Sequence, residues 1–496
     1  MGTTAGLVGS IGASIDAVVV PYFADRRAGP GVGALDQFDV DVRIAVRGTP
    51  AFRGEASDPP VVIPPTSGRR PTIVVVGLGS SESAGTVQIR HAAQRAAGLL
   101  RGHRRVVLTL AQVGDDRSAA VRAAAEGFLL GCYSPSTRPT RSSHESPPES
   151  VGLLVDSGDV RRVQLRTALE RGQVTAEQAN WARDLVDTPA GHLTPARLAD
   201  RIRAAARGSG VRCTVWSASR IEDRGFGALL AVGRGSRQRP QVVELTYGRS
   251  AARGLGLVGK GVTFDSGGLN LKRDAGEIAW MKSDMAGAIA CAGAVIGAGR
   301  LGLDTPVRAI LPLVENMPGG DAVRPGDVVT HPDGTTTEIT DTDCEGRLIL
   351  ADALAFLAAT AVTGIIDVAT LTDAAGFGPA LWAGAASDDE LMAQTLAAAD
   401  ESGEPGWRMP LVADYAELLR SPVADQANAA GGVPDSSVLA ATYLRPFVGA
   451  VPWVHIDNGS TAYLERPWAT WPVGATGSPL RALLRLLENR AVRTAG

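Results

Sequence analysis

The stretch VGKGVTFDSGGLNLKRDAGEIAWMKSD, residues 258–284, stands out by its lysines. The chain has 49 basic residues, and only Lys260, Lys272 and Lys282 are lysine, so the remainder are arginine and all three lysines fall within this one window. A solvated surface cation can be either residue. A position where an amine must lose its proton, ligate a metal or act as a compact point charge cannot be arginine, whose guanidinium is a wide, permanently charged fork. The window therefore marks a site. Its pattern also decides the fold class: LGLVGKGVTF (255–264) reads as a strand ending at Asp265, and 277–298 reads as a helix of small residues.

The same alternation continues outward. VRAILPLVE (307–315) and GIIDVATL (364–371) are buried strands, and TTTEIT (335–340) is a short strand ending at Asp341, followed by DTDCEG and a helix beginning near Arg347. Polar residues thus gather just past the C-terminal ends of strands, where open α/β sheets bind ligands. Upstream, residues 1–132 alternate β-rich runs (AVVVPYF, PTIVVVGLG, RRVVLTLAQV) with Ala-rich helical stretches. SPSTRPTRSSHESPPE (134–149) is Ser-, Pro- and Arg-rich and reads as an exposed loop, after which VGLLVDSG returns a strand. The expectation is a two-domain α/β protein. Residues 1–162 form an N-terminal α/β domain with a mixed sheet, 163–186 a connecting helix, and 187–496 a C-terminal α/β domain whose central, mostly parallel sheet is flanked by helices.

Composition excludes several function classes. With 45% apolar and 20% charged residues and a net charge of -3, the chain lacks the basic excess of a dedicated nucleic-acid or anionic-membrane binder. Small molecules and copies of itself are the expected partners. The four cysteines (Cys132, Cys213, Cys291, Cys344) include no CxxC pair, which fits a reducing compartment. No apolar run reaches the roughly 18 residues of a membrane span, and the N-terminus has no early Lys or Arg ahead of an apolar run. The reading is a cytoplasmic protein. GLGSS (77–81) lacks the third glycine of a dinucleotide loop, since position 82 is Glu, and GLGLVGK (254–260) lacks the hydroxyl residue of a phosphate-binding loop, since position 261 is Gly.

Asp265, Asp284, Asp343 and Glu345 are acids in Gly- and Ala-rich surroundings. Carboxylates brought close together repel unless they are protonated or bridged by cations. Two divalent ions roughly 3.5 to 4 Å apart would relieve that repulsion and create a hydroxide nucleophile near neutral pH. The six histidines are scattered and form no HExxH, so a carboxylate-rich site with an amine ligand is what remains.

VGKGVTFDSGG, MKSDMAGA, ENMPGG, RPGDVV, DTDCEGRLILADAL and DVATLT occur in an order and spacing that resembles the leucyl aminopeptidase (cytosol aminopeptidase) family. ARDLVDTPAGHLTP, ADQAN, WVHID and GATGSP are similar to its flanking signatures, and the resemblance runs from about residue 180 to the C-terminus. It implies a metal-dependent aminopeptidase in which Lys260, Asp265, Asp284 and Glu345 hold one ion and Asp265, Asp343 and Glu345 the other, Mn or Zn. It further implies that Lys272 polarises the scissile carbonyl, and that Arg347 holds a bicarbonate acting as general base. Met281, Asn316, Thr370, Leu371 and Asp373 would then line the substrate pocket of a homohexamer. Lys260 would ligate as the neutral amine, which an adjacent cation can enforce. Lys282 receives no chemical role and is expected in a structural ion pair.

The sequence also departs from the family pattern. Asp341 and Asp187 stand where Asn is usual, Asp373 replaces Gly, and PDSSVLAATYL and HIDNGS replace glycine-rich segments. A carboxylate at Asp373 would favour basic N-terminal residues. Two other functions stay open: a narrow-specificity dipeptidase of a biosynthetic or thiol-conjugate pathway, and a non-catalytic scaffold or DNA-binding role.

Overall fold

The computed structural model describes residues 2–12, 14–38, 40–65, 70–136, 145–249, 253–372, 376–432 and 436–494. The chain divides into two compact units, Met1–Asn180 and Trp181–Gly496. The division falls within the long helix Val163–Asp187.

The first unit is built on strands β1 (Thr4–Val8), β2 (Ala17–Tyr22), β3 (Val61–Ile63), β4 (Thr72–Gly77), β5 (Arg105–Leu108) and β6 (Ser150–Leu154), in the order β1-β6-β5-β2-β4-β3. All neighbours are parallel except the edge pair β3 and β4, so the sheet is mixed. Every residue of β2, AVVVPY, is buried, the unbroken apolar run demanded of a parallel strand covered on both faces. Helices Thr86–Leu99 and Arg117–Gly131 close the layer, with buried Ala residues allowing near contact.

The second unit contains β7 (Arg212–Val215), β8 (Gln241–Tyr247), β9 (Leu255–Gly259), β10 (Gly261–Asp265), β11 (Val307–Asn316), β12 (Val328–Thr330), β13 (Thr336–Glu338), β14 (Gly364–Ala369), β15 (Trp382–Ala386), β16 (Gly406–Arg408), β17 (Gln426–Ala427) and β18 (Trp453–Asp457). The main sheet runs β16-β15-β18-β14-β9-β11-β8-β7, with β10 beside β11. Its centre, β18-β14-β9-β11, is parallel, and antiparallel pairs flank it. Successive side chains serve opposite faces. Leu257 and Leu311 pack with helices Pro195–Ala206, Ala286–Arg300 and Leu480–Thr494, while Val258 and Ile310 pack with Gly227–Val232, Glu345–Ala358 and Ser437–Leu444.

Two local readings are corrected. The run 255–265 is two strands, not one: β9 lies between β11 and β14, but β10 pairs only with β11, so the chain leaves β14 at Lys260. The flanking glycines make room for this, because a Cβ on Gly259 would lie 2.5 Å from Ala288 Cα and one on Gly261 would lie 2.4 Å from Leu313 Cδ2. The helix expected over 277–298 is also divided, into Ala275–Trp280, a tight turn at Met281–Ser283, and Ala286–Arg300. Close docking of the last helix against β14 forces the break, since a Cβ on Gly287 would meet the Val368 carbonyl oxygen at 2.1 Å. The helix expected near Arg347 begins at Glu345.

One buried polar network runs through His331. His331 Nδ1 lies 2.7 Å from Asp352 Oδ1 and its Nε2 lies 2.8 Å from Thr337 Oγ1, which in turn contacts the Tyr443 hydroxyl at 2.9 Å. All four residues are sealed from solvent, and this hydroxyl-imidazole-carboxylate chain ties β13 to the helices Glu345–Ala358 and Ser437–Leu444.

Candidate metal centre and cleft

The break at Lys260 sets the site. Its backbone N–H donates to Val368 O, its carbonyl accepts from Ala288 N, and its ammonium donates to Thr370 O at 2.8 Å. That ammonium lies 2.7 Å from Asp284 Oδ1 and 3.0 Å from Glu345 Oε1, with all three side chains at most 5% exposed. Asp265 ends β10, Asp284 occupies the break between two helices, and Glu345 opens a third helix. One oxygen from each of these three carboxylates falls within a 4.8 Å cluster. Asp343 stands beside that trio and is joined to it through Lys272, whose ammonium is 3.0 Å from Asp265 Oδ2 and 2.7 Å from Asp343 Oδ1.

Four carboxylates therefore share two ammonium groups. Burial pushes the Asp284 carboxyl well above its usual range and raises Glu345, with neighbouring acids adding to both. Burial, then the Asp265 and Glu345 charges, lift Asp343 to about 8. Burial alone would lower both lysines, but the surrounding carboxylates outweigh it and raise them. Among the described residues, Asp284 Oδ2 and Glu345 Oε2 are buried with no hydrogen-bond partner. Such oxygens in a net-negative pocket are costly unless a cation takes them. The oxygen donors and orphaned lone pairs fit hard or borderline divalent ions.

Second contacts hold the acids in place. Asn316 Nδ2 donates to Asp265 Oδ1 at 2.8 Å and to Thr342 O at 3.0 Å, and the Thr370 hydroxyl donates to Asp284 Oδ1 at 2.7 Å. Asn316 is 2% exposed and lies behind Asp265, outside the residues lining the cleft. Arg347 is buried in the helix after Glu345 and donates through Nη1 to Asn428 O. Asp341 accepts the Asp343 N–H at 2.8 Å, a turn that shapes the acid-bearing loop, and Asp187 Oδ1 accepts the Ala475 N–H. The expected Lys282 ion pair is absent among the described residues. Lys282 donates to the Asp187 carbonyl at 2.9 Å and sits 5.6 Å from the Tyr463 ring centre. Asp373 lies outside the described residues.

Asp265, Asp284 and Asp343 form the floor of a cleft of about 630 Å³. Met281, Thr370 and Leu371 line it as expected of pocket residues. Sequence reading missed Glu277, Trp280, Tyr463, Ser460 and Arg466 on its walls. Trp280 stacks on Tyr463 with 6.3 Å between centroids and 4° between planes. No local signal joins these two residues, because they lie far apart in sequence and meet only in the fold. A peptide-sized cleft ending on a cation-demanding floor suits hydrolysis of a bound chain end.

The comparisons with known proteins agree in class. The model of the cytosol aminopeptidase family catalytic domain matches residues 180–484, and that of the family's N-terminal domain matches 19–137. A probable cytosol aminopeptidase of Corynebacterium diphtheriae is 37% identical over 96% of this chain and 95% of its own length. Among solved structures, the bottromycin maturation enzyme BotP in complex with Mn is 38% identical, with a TM-score of 0.83 over 96% of this chain and all of that one. A tomato leucine aminopeptidase mutant is 27% identical, with a TM-score of 0.85 over 98% of this chain and 96% of that one.

Proposed function

The chain belongs to the cytosol aminopeptidase family and is a metal-dependent aminopeptidase, and from this premise we propose a two-ion mechanism for it, with Mn or Zn as the ions. The observation that carries the proposal is the buried trio Asp265, Asp284 and Glu345, with the Lys260 ammonium against two of its members. Lys260, Asp265, Asp284 and Glu345 would hold one ion, and Asp265, Asp343 and Glu345 the other. Ions bound there supply Lewis acidity and lower the pKa of water. The Mn in the related BotP structure favours manganese.

The chain's own residues do the rest. Lys272 reaches the floor from a loop and presents a fixed positive charge to the scissile carbonyl, stabilising negative charge as it develops on that oxygen. Arg347 would hold bicarbonate as a proton acceptor. Met281, Thr370 and Leu371 contact the first side chain, Asn316 orients Asp265, and Asp373 biases the pocket toward basic residues. The proposal extends to a cytoplasmic homohexamer and to peptide substrates. A second reading is a narrow peptidase acting in the biosynthesis of one product. It is favoured by the likeness to a relative named as a maturation enzyme.

The test is hydrolysis of Leu, Met, Ala, Arg, Lys and Glu p-nitroanilides after metal stripping and refilling with Mn or Zn, with Asp265→Ala as control. Metal-dependent release that is lost in the variant is expected. Silence across the panel with two ions bound per chain would favour the narrow peptidase, and silence with no ion bound would overturn the ligand set.

A further inference from the structure

A second polar cleft, of about 440 Å³, lies on the catalytic unit and is lined by Arg212, Arg220, Arg249 and Arg308, with Glu244 the lining acid. Strand register builds it. Thr246 of β8 is paired with Arg212 of β7 on one side and with Arg308 of β11 on the other, which puts two guanidinium groups on one face across three strands. One step along the same face, Glu244 is paired with Thr214.

Glu244 is already saturated. Its Oε1 accepts from Arg308 Nε and Nη2 at 3.1 and 2.8 Å, and its Oε2 accepts from Arg220 Nη2 at 2.8 Å and Trp216 Nε1 at 2.9 Å. The aromatic rings fix both cations: Arg220 lies 4.4 Å from the Trp216 ring centre and Arg308 lies 5.4 Å from that of Phe356. The side chains of Arg212 and Arg249 have no hydrogen-bond or acid partner among the described residues. The Thr246 hydroxyl between the arginine rows is likewise without a partner. The cleft therefore holds four positive charges against one carboxylate, in a protein whose net charge is -3.

We infer that this cleft is a binding site for a phosphate-type dianion, either free or as the phosphate of a small metabolite. Guanidinium forks match oxyanions, and these converge from β7, β11, the segment after β8 and the helix Ala218–Asp223. A tetrahedral oxyanion offers oxygens to several forks at once, whereas a planar carboxylate is satisfied by two, as Glu244 is. The site is separate from the metal centre. Arg308 is the second residue of β11 and Asn316 its last, so about 25 Å of strand lies between the cleft and Asp265.

The test is calorimetric titration of inorganic phosphate into the metal-loaded protein at low ionic strength, with succinate as the planar dianion. Three proteins are compared: the natural chain, the double variant Arg212→Gln, Arg249→Gln, and Asp265→Ala. Both arginines are exposed, and p-nitroanilide turnover equal to that of the natural chain is the check that the double variant is folded. Phosphate binding that weakens roughly tenfold or more in the double variant, persists in Asp265→Ala and exceeds succinate binding is expected. Binding lost only in Asp265→Ala would place the anion on the metals and overturn the inference. No saturation in any protein, or tighter succinate binding, would overturn it too. A phosphorylated metabolite competing with phosphate would identify the metabolite form, and its failure to compete the free anion.

Discussion

Lys260 Nζ lies 2.7 Å from Asp284 Oδ1, and the two side chains are 4% and 5% exposed. Within one buried pocket the amine therefore stands beside the carboxylates that would hold an ion. A compact amine on a flexible stem can give way to an ion and then ligate it as a free base, whereas a guanidinium can do neither. Lys260→Arg should therefore lower kcat/KM by about 100-fold or more while leaving the protein folded, with metal content per chain as the deciding measurement. Full metal occupancy with unchanged turnover would refute this role for the lysine.

Gly346 permits that geometry. A Cβ there would lie 2.5 Å from Lys260 Cε and 2.7 Å from its Nζ. Gly346→Ala should displace the amine without touching any carboxylate, weakening metal affinity by about 10- to 100-fold. Competition with a chelator measures it, and an unaltered affinity would show that the lysine moves aside at no cost.

Asp352 accepts from both His331 and the Leu229 N–H in a fully buried setting. Asp352→Ala strands both donors and should cost about 3 to 5 kcal/mol of stability by denaturant unfolding. Turnover per folded molecule should be unchanged. A specific loss of turnover at normal stability would instead place this network in the mechanism.

The aminoacyl panel bears on Asp373. If its carboxylate faces the first side chain, Arg and Lys substrates lead the ranking, and Asp373→Gly lowers their kcat/KM by about 10-fold while raising that of Leu. Leu and Met leading in both proteins would remove Asp373 from the pocket.

The α/β class and the acids were legible because they are local or nearly so. Buried parallel strands such as β2 are written as unbroken apolar runs, and Asp265, Asp343 and Glu345 sit in short Gly-rich segments at strand and helix ends. The breaks at Lys260 and Ser283 were not legible, since each follows from how closely helix Ala286–Arg300 docks on β14. Lys282 was expected to seek a carboxylate and found a carbonyl and a ring. Only the fold brings residues 187 and 463 to it.

What the sequence by itself determined is the chemistry on offer: all three lysines in one window, two of them placed among acids, and acids spaced to end elements. What only the tertiary structure decided is which groups share space. Trp280 and Tyr463 make one cleft wall, Thr370 steadies Asp284, and Arg212, Thr246 and Arg308 form one row across β7, β8 and β11. The physical reason is range. Propensity and periodicity act over a few residues, whereas these meetings are set by strand order and by the packing of helices onto the sheet between them.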